Sequence, residues 1–125
     1  MPAPQISESE WDVMKVVWDH GPLTSGEVVR KMEQSGTHWA PRTTKTLLAR
    51  LVKKGAVGTN EDAGRVMYRA KVTRESCVKR ESRSFLTRVF NGAVTPAVVH
   101  FLEEAKLSRE DLAELRKILE KGGPR

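Results

Sequence analysis

A single cysteine in 125 residues, Cys77, excludes an intrachain disulfide and any Cys-x-x-Cys metal or redox site. Long apolar runs are missing too. Nothing approaches the roughly 20 residues that span a bilayer, and the opening MPAPQISESEW has neither the basic region nor the apolar stretch of a secretory signal. Together these absences give the expectation of a cytosolic protein. Aromatic residues make up only 6% of the chain, so aliphatic side chains must carry the core. His20, His38 and His100 stand far apart without ligand spacing, and no nucleophile motif or glycine-rich phosphate loop is present. The reading is therefore of a chain that is not an enzyme and has no catalytic residue, metal site or cofactor.

Acidic residues are absent locally in a way that composition conceals. The net charge of +6 is spread evenly along the chain, but the 27 residues between Glu33 and Glu61 carry no acid and five bases, Arg42, Lys45, Arg50, Lys53 and Lys54. A surface facing a polyanion needs such a stretch, because one carboxylate among phosphate contacts repels the ligand.

What is present is a set of clear helix starts. Ser7 with Glu10 and Thr24 with Glu27 have capping-box spacing, flanked by the staple pairs Ile6/Trp11 and Leu23/Val28. The first helix carries Trp11, Met14, Val17 and Trp18 on one face and stops near Gly21-Pro22; the second carries Val28, Val29 and Met32 and stops near Ser35-Gly36. After an extended piece at Thr37–Trp39, Pro41 suits a first helical position. Leu47, Leu48, Leu51 and Val52 then form the buried stripe of a third helix capped by Gly55. Two β-leaning runs, AVGTNE and RVMYRAKV, joined by DAG, read as a hairpin in which Gly64 supplies a positive φ. The fold class is thus mainly α with a small β-hairpin wing, in the element order of a winged helix-turn-helix.

Three more helices follow, from Thr73 to Asn91-Gly92, from Thr95-Pro96, and from Ser108 with Asp111. About 50 residues do not close a stable core alone. Phe85, Leu86, Val89, Phe90, Val98, Val99, Phe101, Leu102, Leu112, Leu115 and Leu119 need another surface, and a two-fold copy of the same chain provides one. The expected organisation is a DNA-binding domain at 5–73 and a helical dimerisation domain at 74–122, with both ends frayed. Cys77 is expected as a small apolar residue facing the packing between domains, a sensing thiol being the lesser alternative.

The polar opening of the third helix carries the functional reading. Arg42, Thr43, Thr44, Lys45 and Thr46, with Arg50 further along, combine hydroxyls and cations at a positive dipole end, which suits phosphates and base edges in a major groove. A solvated first turn is the plain alternative. Cations at a helix start oppose the dipole by roughly 0.3–1 kcal/mol each, however, and an external anion reverses that penalty. Arg65, nearest the hairpin tip, with Arg69 and Lys71 behind it, suits backbone contact, although Glu61 and Asp62 beside it work against this.

With the elements in this order, ISESEWDVMKVVWDHGPLTSGEVV, TTKTLLARLVKKGAVG, YRAKVTRE, ESRSFLTRVFNGAVTPAVVHFLEE and LSREDLAELRKILEK resemble the penicillinase-repressor family of BlaI/MecI type over residues 6 to 121. The resemblance implies a homodimeric repressor whose winged helices bind an inverted-repeat operator with TACA and TGTA cores. Its DNA contacts fall on Arg42, Thr43, Thr44, Lys45, Thr46, Arg50 and, in the wing, Arg65. It also implies derepression by a membrane sensor with a zinc peptidase domain, acylated by a β-lactam, through proteolysis at an Asn-Phe bond. Here that bond reads His100-Phe101, a departure that leaves the fold untouched and bears on the inducing cleavage. A copper-responsive branch carries a cysteine-rich tail, whereas this tail reads KGGPR. The alternatives at this point are an uncleaved regulator with a ligand- or redox-dependent inducer, and a winged-helix protein-interaction module.

Overall fold

The structure is a computed structural model that describes residues 3–122. In chain order the elements are α1 (Glu8–His20), α2 (Ser25–Gln34), α3 (Pro41–Lys53), β1 (Val57–Asp62), β2 (Arg65–Ala70), α4 (Arg74–Phe90), α5 (Val94–Glu104) and α6 (Arg109–Lys121). No single helix among the described residues is long and apolar enough to cross a membrane. Compact packing divides the chain between Arg83 and Ser84, inside α4, whereas the expected boundary at 73/74 marks the start of that helix.

In the first unit, α1, α2 and α3 pack against one another, and the antiparallel hairpin β1–β2 lies against them. Each helix start is explained locally. Ser7 and Thr24 form complete capping boxes, their hydroxyls accepting from the Glu10 and Glu27 N–H groups at 3.2 Å while each carboxylate accepts from the cap N–H at 2.9 Å. Caps of this kind stabilise a helix by about 1 kcal/mol. The α3 C-terminus closes as a Schellman motif: Gly55 has φ 82°, its N–H donates to the Val52 carbonyl, and the Ala56 N–H donates to the Leu51 carbonyl.

The core collects Val13, Met14 and Val17 of α1, Val28 and Met32 of α2, Leu47, Leu48 and Leu51 of α3, and Val57 of β1. Ala3 and Ile6 are also buried there, so the chain is held from Ala3 onward rather than frayed. Met1, Pro2 and residues 123–125 lie outside the described residues. Trp11 and Trp18 pack at the edge of the core with ring centroids 5.6 Å apart.

Three local features differ from the sequence reading. The extended piece before α3 forms no strand; the additional β-bridge is made by Leu23, whose N–H and carbonyl exchange hydrogen bonds with Tyr68 at 3.0 and 2.7 Å. Leu23 precedes the Thr24 cap in extended backbone, so both of its backbone groups are free to pair. The hairpin turn is the two-residue Ala63-Gly64, with φ 54° and 78°, because Asp62 pairs directly with Arg65. Positive φ at both turn positions matches the right-handed twist of the strands, which is why Ala63 accepts an unfavourable backbone region. Finally, α5 starts at Val94 from an Ala93 cap without a side-chain hydrogen bond, placing Thr95 inside the helix.

Glu10 is buried to 1% exposure and receives the Lys54 ammonium as an ion pair. Lys54 Nζ also donates to the Gln5 carbonyl at 2.9 Å, tying the end of α3 to the start of the chain. Burial alone pushes the Glu10 carboxyl up; hydrogen bonds from Lys54 and from the Ser7 N–H, with the Lys54 charge, more than offset it and hold it below the ordinary 4.5. A carboxyl depressed in the folded state contributes stability that is present above its unfolded value and lost as the pH falls through the folded one. The thermal midpoint of the wild type should therefore fall below pH 4.5, and its advantage over Glu10→Gln should shrink across the same range. A constant gap between the two from neutral to acid pH overturns this account.

In the second unit the helices carry little buried surface. Among its described residues only Ala97 is buried. Phe85 stacks on Phe101 at 5.9 Å between centroids, and Phe90 lies 5.7 Å from the His100 ring. The α6 helix has a full capping box at Ser108 and Asp111, and no residue of it is buried.

Candidate nucleic-acid interface

Helical periodicity sorts the polar half of α3. Thr44, Leu47, Leu48 and Leu51 fall at i, i+3, i+4 and i+7 and are all buried. Thr44, expected on the binding surface, is 2% exposed. Its place in the leucine stripe turns its side chain into the core, away from the exposed face of α3 where the sequence placed it. Arg42, Thr43, Lys45, Thr46 and Arg50 are exposed. With Lys53 and Ala49 they fill one continuous solvent-facing arc of the helix, free of acidic groups. Ala49, which no chemical signal in the sequence singles out, lies among Lys45, Thr46 and Lys53 on the exposed arc, where its methyl group adds little bulk.

The electrostatics of this arc are simple. Arg42, Lys45, Arg50 and Lys53 take part in none of the ion pairs among the described residues. The fifth base of the acid-free stretch, Lys54, is engaged by Glu10. The first turn of α3 contains no acid, and its Ala40 cap supplies no side-chain acceptor, unlike the boxed starts of α1 and α2. The helix thus presents cations, hydroxyls and a positive dipole end in one direction, with no internal anion to satisfy them.

Arg65 opens β2 and is exposed. It lines a groove of about 520 Å³ with Thr24, Ser25, Glu27, Arg30 and Tyr68. Hydrogen bonds from the Thr24 N–H and hydroxyl hold the Glu27 carboxyl low, with smaller contributions from the Arg65 and Arg30 charges. Arg30 and Ser25 therefore accompany the wing arginine, a grouping hidden in the sequence by the distance between α2 and β2. Arg69 and Lys71 are exposed behind Arg65, while Glu61 and Asp62 occupy the other strand at the tip.

Cys77 is buried as a small apolar residue in the core cluster of the first unit. Burial pushes its thiol up, which keeps it protonated and shielded. Among the described residues no group of three or more His, Cys, Asp or Glu side chains could hold a metal ion.

Residues 6–121 match the family model described as Penicillinase repressor. The penicillinase repressor of Bacillus licheniformis is 38% identical over 117 residues, covering 94% of this chain and 91% of that protein. The methicillin resistance regulatory protein MecI of Mammaliicoccus sciuri is 30% identical, covering 94% of each. Among solved structures, the DNA-binding domain of the repressor BlaI aligns with a TM-score of 0.52 and 35% identity, over 59% of this chain and 89% of that one. The monomeric form of Bacillus licheniformis BlaI, solved in complex with the blaP half-operator, aligns with the same TM-score, identity and coverage. With nearly the whole chain matched and the winged helix shared, this chain belongs to the penicillinase-repressor family, whose members are DNA-binding transcriptional repressors and not enzymes.

Proposed function

We propose that this chain acts as a homodimer on an inverted-repeat operator, each α3 entering a major groove with the two helices roughly 34–36 Å apart. The exposed, acid-free arc of α3 carries this reading. Arg42, Lys45 and Arg50 supply phosphate and guanine-edge donors, Thr43 and Thr46 supply hydroxyls, and Arg65 follows the adjacent backbone. That BlaI was solved on a half-operator supports the same use of this surface. A protein-interaction module has no comparable observation behind it, and the buried thiol of Cys77 argues against a redox inducer.

Release follows from the second unit. We place the inducing cut at His100–Phe101, made by a sensor metallopeptidase of the kind the family resemblance implies. Both residues are exposed, Phe101 at 56%. The bond lies within α5, so its backbone must leave the helix before a peptidase can take it in extended form. A cut there separates α6 from the rest of the chain.

Operator binding tests the reading. Arg42→Ala and Lys45→Ala should each weaken binding by about 1–3 kcal/mol at fixed salt, and the salt slope should fall by about 0.9 for each phosphate that the variant leaves without its cation. Folding stability should stay within about 0.5 kcal/mol, since both side chains are exposed and unpaired. Unchanged affinity of both variants in a gel-shift titration rejects the placement of α3 in the groove.

A further inference from the structure

The joint between β2 and α4 is fastened more tightly than a linker between domains requires. Only Lys71, Val72 and Thr73 separate the strand from the helix. The Trp18 indole N–H donates to the Val72 carbonyl at 3.0 Å. Arg74, the first residue of α4, forms an ion pair with Asp19 and sets its guanidinium 5.3 Å from the centre of the Trp18 ring. Thr73 caps the helix by accepting from the Ser76 N–H at 3.0 Å, and Cys77 one turn on is buried in the core. Trp18 itself leans on Trp11 at the core edge.

We propose that Trp18, Asp19 and Arg74 form a latch that fixes the direction in which α4 leaves the DNA-reading unit, and thereby sets the half-site spacing that the dimer accepts. The proposal rests on the dimeric operator reading above. Because α4 is one unbroken helix from Arg74 to Phe90, an angular change in its first turn is carried along its length. An avid dimer gains from its second half-site only when geometry allows both to be engaged together. The three side chains are positioning residues: they act through α4, and the exposed arc of α3 remains the contact surface. Arg74 and Asp19 are half exposed, at 50% and 54% of their side chains, so their loss loosens the joint without opening the core.

The test uses the full chain and duplexes selected from a random pool by the wild type. One duplex carries the whole inverted repeat, one carries a single arm, and two carry spacers changed by one base pair, roughly 3.4 Å of axis. Arg74→Gln and Trp18→Phe should bind the single arm as the wild type does. On the whole repeat they should bind about tenfold more weakly, and they should discriminate less among the three spacings. Arg74→Lys, which keeps a cation between Asp19 and the indole, should recover most of that discrimination. Thermal midpoints report folding separately. A parallel loss on single arm and whole repeat, or no change on either, overturns the latch. Equal binding of single arm and whole repeat by the wild type overturns the dimeric reading itself.

Discussion

Leu51→Ala should remove about 2–5 kcal/mol from the stability of the first unit. Leu51 has no exposed surface and lies on α3 beside Leu48, which is 1% exposed, in the cluster that also holds Val13, Met14, Val28 and Val57. Small domains have roughly 5–15 kcal/mol in total, so the loss takes a large share of what keeps α3 docked. Trp11, Trp18 and Trp39, the three tryptophans of the chain, all lie in this unit. Their fluorescence during urea unfolding therefore reports it alone. The midpoint should move sharply down with the slope unchanged. An unmoved midpoint means that the α3 stripe is not packed as described. Comparison with the variants on the opposite face separates two ways of weakening operator binding: Leu51→Ala acts through the folded fraction, Arg42→Ala through the DNA-facing surface.

The two faces of α3 also show how far a sequence encodes its own folding. Local devices are legible because their partners lie within a turn: the boxes at Ser7/Glu10, Thr24/Glu27 and Ser108/Asp111, and the glycine closure at Gly55. Thr44 looks like a groove-facing hydroxyl by chemical type, but register decides its place; lying three, four and seven residues before Leu47, Leu48 and Leu51, it is directed inward. Other features depend on pairs distant in sequence. Lys54 reaches Glu10 across 44 residues, which takes one base out of the acid-free surface. Arg74 meets Asp19 across 55, which places the opening of α4 with the first unit. Arg30 joins Arg65 only once β2 has paired back onto Leu23. No periodicity or motif encodes contacts of this range; they follow from the packing of α1 against α3 and of α1 and α2 against β2.

Leu112→Glu combined with Leu119→Glu should convert the protein to a monomer at micromolar concentration and weaken binding to the whole inverted repeat by about 10²–10⁴-fold, leaving single-arm binding unchanged. In the single chain Leu112 is 43% and Leu119 69% exposed, so carboxylates at these positions meet water and leave the fold of one chain intact. Within a two-fold interface the same carboxylates face apolar surface, where an unpaired charge is strongly disfavoured. The distinction matters because Val89, Val98, Phe101 and Leu102 are also more than 40% exposed. Exposed apolar side chains on α4, α5 and α6 are the kind of surface that a partner covers. Light scattering reads the mass, and gel shift on the two duplexes reads the avidity. The same measurements bear on release. A chain cut between His100 and Phe101 loses the α6 leucines together with Phe101 and Leu102, so it should reproduce the double variant on both assays. Should the double variant remain a dimer, the apolar stripe of α5 and α6 is not the dimer seam, and a cut at His100–Phe101 then has no route to derepression through it.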